Sequence, residues 1–245
     1  MDSSRIFACP GIFASSSISR NMGTRDEEPA AVFAPGTSNR VVGTPHDPQA
    51  RLAALGATAF AHVNGTLAEH LHGTAQLLRD WGNRDALCLA GLYHAVYGTA
   101  GIRGALVGVD DRRTIAAWIG DDAEHIAYLY GACDREQFHP RIGTPDQTRF
   151  VDRFARTEYA ITHALLRDFC ELTVANETEL ARRNPAYRQK HGDLRRLFER
   201  MDGLLSSAGS EAFRTCFPES TPAPNQPSTV LSPGSRYVET ECESP

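Results

Sequence analysis

The sequence predicts an all-α protein built as a single helical bundle, and three observations carry that prediction. Apolar residues recur at three- and four-residue spacing through much of 66–216, no stretch alternates convincingly at period two, and the ends of the chain show no sustained periodicity. The 245 residues divide accordingly. Residues 1–49, rich in Ser, Gly, Pro and Ala, read as a disordered leader; 50–217 read as the helical domain; 218–245, rich in Pro, Ser and Glu, read as a disordered tail.

The elements follow in order. Residues 66–81 place Leu67, His70, Leu71, Thr74, Leu77, Leu78 and Trp81 on one stripe, with Glu69, His72, Gln76 and Arg79 opposite, and Gly82-Asn83 closes the helix. Residues 84–97 are almost wholly apolar and predict the central helix. Two shorter helices are expected over 112–119 and 122–133. A long one is expected from about 147 to 183, with a kink or break near Arg156-Thr157, and its stripe includes Phe150, Phe154, Ile161, Leu166 and Phe169. Pro185 opens an amphipathic helix through Leu205, and a last short helix covers 209–216.

Composition excludes several classes of function. The net charge is −5, and residues 50–217 hold 20 basic and 21 acidic side chains, so no basic face awaits a nucleic acid. No run of 18 apolar residues exists to cross a bilayer, and Pro10-Gly11 interrupts the only apolar stretch near the start, so neither a membrane partner nor a secretory signal is expected. Residues 3–25 carry Arg and Ser without acid, as organellar transit peptides do, but a plain unstructured leader is the simpler reading. The six cysteines form no C-x-x-C pair; Cys88, Cys133 and Cys170 read as small reduced core residues of a cytoplasmic protein. Walker A, dinucleotide-binding and nucleophile-elbow motifs are absent.

Two histidines stand out. His70 sits on the apolar stripe of its helix, and His94, in AGLYHAVYGT, takes the equivalent place on the central helix. A buried imidazole needs a hydrogen-bond partner or a metal, because an unsatisfied ring nitrogen costs about 1–3 kcal/mol. Each histidine alone reads as a satisfied core residue; the pair on adjacent helices also suits convergence on one ion.

Ala61-His62-Val63-Asn64-Gly65-Thr66, His70 and Ala90-Gly91-Leu92-Tyr93-His94 together resemble the HD-domain superfamily of metal-dependent phosphohydrolases, with the Rel/Spo-type hydrolase domains nearest in pattern. The 24-residue interval from His70 to His94 suits that group, and Ala132-Cys133-Asp134-Arg135 resembles its later A-D-R motif. The run H-L-x-G-T…W-G…AGL-x-H-x-x-YGT also resembles the signature of a separate family of unknown function. The superfamily resemblance implies an HD-like bundle and a divalent metal held by His70, His94 and Asp134, with His62 as a possible fourth ligand. Mn, Fe or Zn would suit this set better than Mg, since one carboxylate is missing.

The departures are specific. Ala95 stands where the superfamily has the Asp of its HD pair, and Tyr97-Gly98 replaces the Glu-Asp that activates water in the Rel/Spo enzymes. His62, Glu69, His125 and Glu136 are the candidates for acid–base catalysis. Tyr93, Tyr97 and Arg103 are candidates for substrate contact, while Arg112 and Arg113 read either as phosphate clamps or as a solvated face beside Asp110 and Asp111. Asn176-Glu177, late in the long helix, is placed near or away from the site by nothing in the sequence. Three functions remain open: a metal-dependent hydrolase of a phosphorylated small molecule or nucleotide, a catalytically degenerate HD domain that binds a small molecule or protein, and a non-haem iron oxygenase.

Overall fold

The computed structural model describes residues 47–100 and 104–218, all within one compact unit of the chain. The expected leader and tail lie outside these residues apart from 47–49 and Pro218, and so does Arg103.

The described chain runs through α1 (Pro48–Ala54), the hairpin β1 (Ala61–His62) and β2 (Gly65–Thr66), α2 (Leu67–Asp80) and α3 (Asp85–Tyr93). It continues through α4 (Arg112–Ile119), α5 (Asp121–Ala132), α6 (Arg135–Phe138) and a second hairpin, β3 (Arg149–Asp152) and β4 (Thr157–Ala160). Helices α7 (His163–Arg183), α8 (Pro185–Lys190), α9 (Leu194–Met201) and α10 (Ser207–Cys216) complete it. The fold is all-α: the strands belong to two antiparallel two-stranded hairpins among the helices.

Helix α2 forms as its sequence dictates. Thr66 caps it by accepting from the Glu69 amide, and the Glu69 carboxylate accepts in return from the Thr66 amide, a capping box that satisfies two otherwise orphaned donors. Its buried stripe lies against α3 and α7. Gly91 permits the close approach of α3, since a Cβ there would fall 2.5 Å from Leu78 Cδ1.

Three expectations about elements need correction. The central helix stops at Tyr93, so His94 is its cap residue rather than an interior position. Beyond it, Val96 N bonds to Tyr93 O and Gly98 N to Ala95 O, and Gly98 takes φ +75°, a conformation that no helix continues through. The long helix begins at His163, not near 147. Its expected first half is the β3–β4 hairpin, in which Phe150 pairs with Tyr159 and both Phe150 and Asp152 are buried. The Asp152 carboxylate accepts from the amides of Phe154 and Ala155, and Arg156 adopts φ 55°, so the chain reverses where a kink was expected. The helix expected over 185–205 is divided at His191-Gly192-Asp193 into α8 and α9.

Two apolar clusters fill the interior. One joins the end of α2 and α3 to α5, the β3–β4 hairpin, α7, α9 and α10, and includes Leu78, Phe138, Phe150, Phe169 and Phe213. The other joins α1, the start of α2, the segment after α3, α4 and α5, and includes Leu71, Tyr93, Val96 and Ile115. Cys88, Cys133, Cys170 and Cys216 are free and buried, and burial pushes the Cys133 thiol up to about 12.

A candidate site at the buried histidine centre

Helix α2 carries His70 inward on its second turn, and the cap of α3 carries His94; each is 2% exposed. Their rings meet edge to face with centroids 5.2 Å apart. His62, on β1, stacks on His70 at 4.3 Å with the planes 16° apart, and Tyr130 of α5 meets His94 edge-on at 5.1 Å. The sequence-predicted pairing of His70 with His94 is therefore present, with His62 beside it.

The carboxylate in contact with His70 comes from α7. Glu179 Oε2 lies 2.5 Å from His70 Nδ1, and Asn176 Oδ1 lies 2.9 Å from His70 Nε2. Asn176 and Glu179 are three residues apart and so share one helical face. The Asn176 amide nitrogen donates to Glu177 Oε1 at 3.1 Å, and Glu177 Oε2 accepts from the Tyr187 hydroxyl at 2.5 Å. Because an ionised carboxylate only accepts, the Asn176 oxygen must face His70, and His70 Nε2 must carry a proton. Its Nδ1 is held against the Glu179 carboxylate. Both nitrogens of His70 are thus engaged by side chains of α7.

The far end of the same carboxylate is tied down as well. Glu179 Oε1 accepts from Arg183 at 3.2 Å, and Arg183 donates to the Asn64 carbonyl at 3.1 Å. Asn64 donates to Leu180 O at 3.1 Å, which latches the β1–β2 turn onto α7. Gly73, in the HLHGT run of α2, makes room for this contact: a Cβ there would fall 2.8 Å from Glu179 Cγ.

His94 differs from His70. Its Nδ1 donates to Gly91 O at 2.8 Å, which fixes the tautomer and leaves the lone pair on Nε2. Burial first, and then the charge of His70, lower its pKa to about 3, so the ring is neutral at ordinary pH. Burial and the charge of His70 likewise lower His62 to about 4, with Glu179 opposing them, and His62 Nδ1 is buried without a hydrogen-bond partner.

The metal set inferred from the resemblance does not fit this geometry. Asp134 caps α6 instead, accepting from the Gln137 amide at 3.2 Å and from its side-chain nitrogen at 2.6 Å. Both His70 nitrogens are occupied by α7, and Ala95 supplies no donor. Among the described residues, no group of three or more His, Cys, Asp or Glu side chains is arranged to hold a metal ion.

The remaining candidates disperse. Glu69 is exposed and belongs to the capping box; His125 and Glu136 are exposed. Tyr93 donates to Pro48 O at 2.8 Å within the second cluster. Tyr97 donates to Glu124 Oε1 at 2.8 Å, and Arg112 grips the same carboxylate through two nitrogens at 2.7 and 2.8 Å. Arg112 is thus a partner of Glu124 rather than a phosphate clamp, and Arg113 is exposed. A groove of about 320 Å³ is lined by Gln49, Leu52, Ala68, His72 and Leu92. It lies on the His72 side of α2, away from the stripe that carries His70.

Sequence reasoning left Asn176-Glu177 undecided and did not single out Glu179. The available signal was the run ELTVANETEL, in which polar and acidic residues alternate with small and apolar ones; the whole run is buried. Solvated acids on a long helix normally gather on one exposed face.

The fold and this centre together define a small helical domain organised around a buried histidine–carboxylate pair. Residues 51–135 match the family model of a domain of unknown function (DUF6817), a stretch holding His62, His70, His94 and Asp134 but ending before α7. Comparisons with curated proteins and with solved structures found no match.

Proposed function

We propose that the chain is a degenerate HD-like helical domain that works as a binding module for a small molecule or protein, its histidine centre holding the fold together. The observation that carries this reading is the closure of the centre. His70 and His94 are 2% exposed, and both nitrogens of His70 are engaged by Glu179 and Asn176. A hydrolytic centre must admit substrate and water to its reacting groups. Ala95, Tyr97 and Gly98 point the same way, since they stand where the resemblance implies acidic residues.

A metal-dependent hydrolase of a phosphorylated small molecule is the second reading. It is favoured by His94 Nε2, which carries a lone pair and makes no hydrogen bond, beside the unpartnered His62 Nδ1. Elemental analysis of the purified protein and of His94→Ala, before and after incubation with Mn²⁺, Fe²⁺ and Zn²⁺, separates the two. The binding-module reading expects no stoichiometric metal and no phosphate release from nucleotides or sugar phosphates. Near-stoichiometric metal that His94→Ala abolishes, accompanied by turnover, overturns it.

A further inference from the structure

A second polar group lies beyond His94, on the α5–α6 side of the domain, and it is incomplete. The Tyr130 hydroxyl is buried without a well-formed hydrogen-bond partner, in a side chain that is 1% exposed, and the Arg135 side chain lies close enough to it to oppose the upward shift that burial imposes on the phenol. The Arg135 guanidinium carbon lies 5.1 Å from the centre of the Tyr130 ring, and Arg135 forms no ion pair with any carboxylate among the described residues. His139, four residues after Arg135, has a buried Nε2 that is also unpartnered. Tyr130 and His139 both pack on Phe169, with ring centroids 5.7 and 6.2 Å away. Arg200 reaches the same place from α9, donating to the His139 carbonyl at 3.3 Å, and it too pairs with no carboxylate among the described residues.

Every unmet group here can donate a hydrogen bond: two guanidiniums, a phenol and an imidazole. The nearby carboxylate is Glu177, whose field reaches Arg135. Its oxygens already accept from Tyr187 and Asn176, and it makes no ion pair with Arg135. Buried polar atoms are normally satisfied, so a buried hydroxyl and a buried ring nitrogen left open beside two unpaired cations need an explanation. A cation-rich set of donors is the chemistry that recognises a tetrahedral oxyanion.

We propose that Arg135, Tyr130 and His139, with Arg200 at the rim, form a binding site for a phosphate group, free or carried on a small molecule. This deepens the binding-module reading by naming a ligand class, and it uses none of the side chains that engage His70, although the Tyr130 ring also packs on His94. In the occupied site Arg135 and Arg200 supply charge and paired N–H donors, while the Tyr130 hydroxyl and His139 Nε2 supply neutral ones.

The test is titration calorimetry of the full chain with inorganic phosphate and with phenyl phosphate, at ionic strength held constant with chloride. Arg135→Gln and Tyr130→Phe are run beside the wild type. Saturable binding to the wild type is expected, weakened about tenfold or more in Arg135→Gln and severalfold in Tyr130→Phe, as loss of charged and neutral hydrogen bonds implies. Binding of phenyl phosphate alone identifies an esterified ligand; binding of both identifies the phosphate group itself as sufficient. Absence of binding by either probe, or equal binding by both variants and the wild type, overturns the proposal. If Arg135→Gln does not fold, Arg200→Gln and Tyr130→Phe decide it on the same criteria. A metal-loaded, hydrolytic wild type would overturn the binding-module reading and leave this titration standing; failed titration of a metal-free protein would do the reverse.

Discussion

The two polar groups within this domain are completed to different degrees. Around His70, both ring nitrogens, both oxygens of Glu179 and both ends of the Asn176 amide have partners within the protein, while the flanking His62 Nδ1 lies outside that network without one. Around Tyr130, a phenol and an imidazole nitrogen are left open beside two arginines without ion pairs. A closed network of this kind gives rigidity and a single packing arrangement, whereas an open one costs stability until something enters it. The comparison separates a centre that holds the fold from a place where a ligand would add to it.

The largest expected effect comes from opening the closed group. Glu179→Ala leaves His70 buried without its carboxylate and releases Arg183, and breaking a buried pair in this way costs about 3–5 kcal/mol. Urea denaturation should show a midpoint shift of that size; a change under about 1 kcal/mol would mean that the network is not structural.

Acid tests the buried imidazoles of both groups. His62 and His139 are lowered to about 4 and His94 to about 3, from an ordinary value of 6.5. Between those values and 6.5 the unfolded chain binds protons that the folded chain excludes, so stability falls as pH drops from about 6.5 toward 4 and is fully present above 6.5. Thermal melts from pH 7.5 to 4 should show this decline, and His94→Gln should flatten its lower part. A melting temperature constant across that window would show that the rings are not held neutral.

A smaller effect is expected at Asp134. As a helix cap it is worth about 1 kcal/mol, so Asp134→Ala should lower stability by that amount and leave any bound metal unchanged. Loss of metal in that variant would restore the metal set implied by the resemblance. The smallest effect is expected at Tyr130→Phe, which removes a buried hydroxyl without a partner and should leave ligand-free stability unchanged or slightly raised. A loss above about 1 kcal/mol would mean that the hydroxyl is satisfied, and the contrast between the two groups would disappear.

Much of the scaffold was legible in the linear sequence because it depends on local patterns. The spacing of Leu67, His70, Leu71, Thr74 and Leu78 marks one face of α2, and Thr66 with Glu69 closes its start by contacts three residues apart. The same periodicity places His70 inward and His72 outward, as the structure has them. The β3–β4 hairpin was not legible, because four-residue strands are too short to display a period and Phe150 and Phe154 fit a helical stripe equally well. The end of α3 was missed because its apolar run continues through Val96 while the backbone turns at Gly98.

The site divides along the same line. His70 and His94 were visible because inward histidines interrupt an apolar pattern, His62 only through the resemblance, and the three rings do meet. Their partners were not visible, because Glu179 and Asn176 lie 109 and 106 residues from His70. Asp134, chosen for its place in a motif, engages a residue three positions away instead.

What the sequence determined by itself was the all-α class, the inward direction of the histidines and the identity of the reduced core cysteines, all consequences of short-range periodicity and burial. The tertiary structure alone decided which carboxylate meets His70, that both nitrogens of that ring are occupied, and that Arg135 and Tyr130 remain open. Those outcomes depend on how α7 lies against α2 and on how the turn from α5 into α6 sets Arg135 over the Tyr130 ring. Glu179 and Asn176 are brought to His70 by long-range packing, which local sequence pattern does not encode.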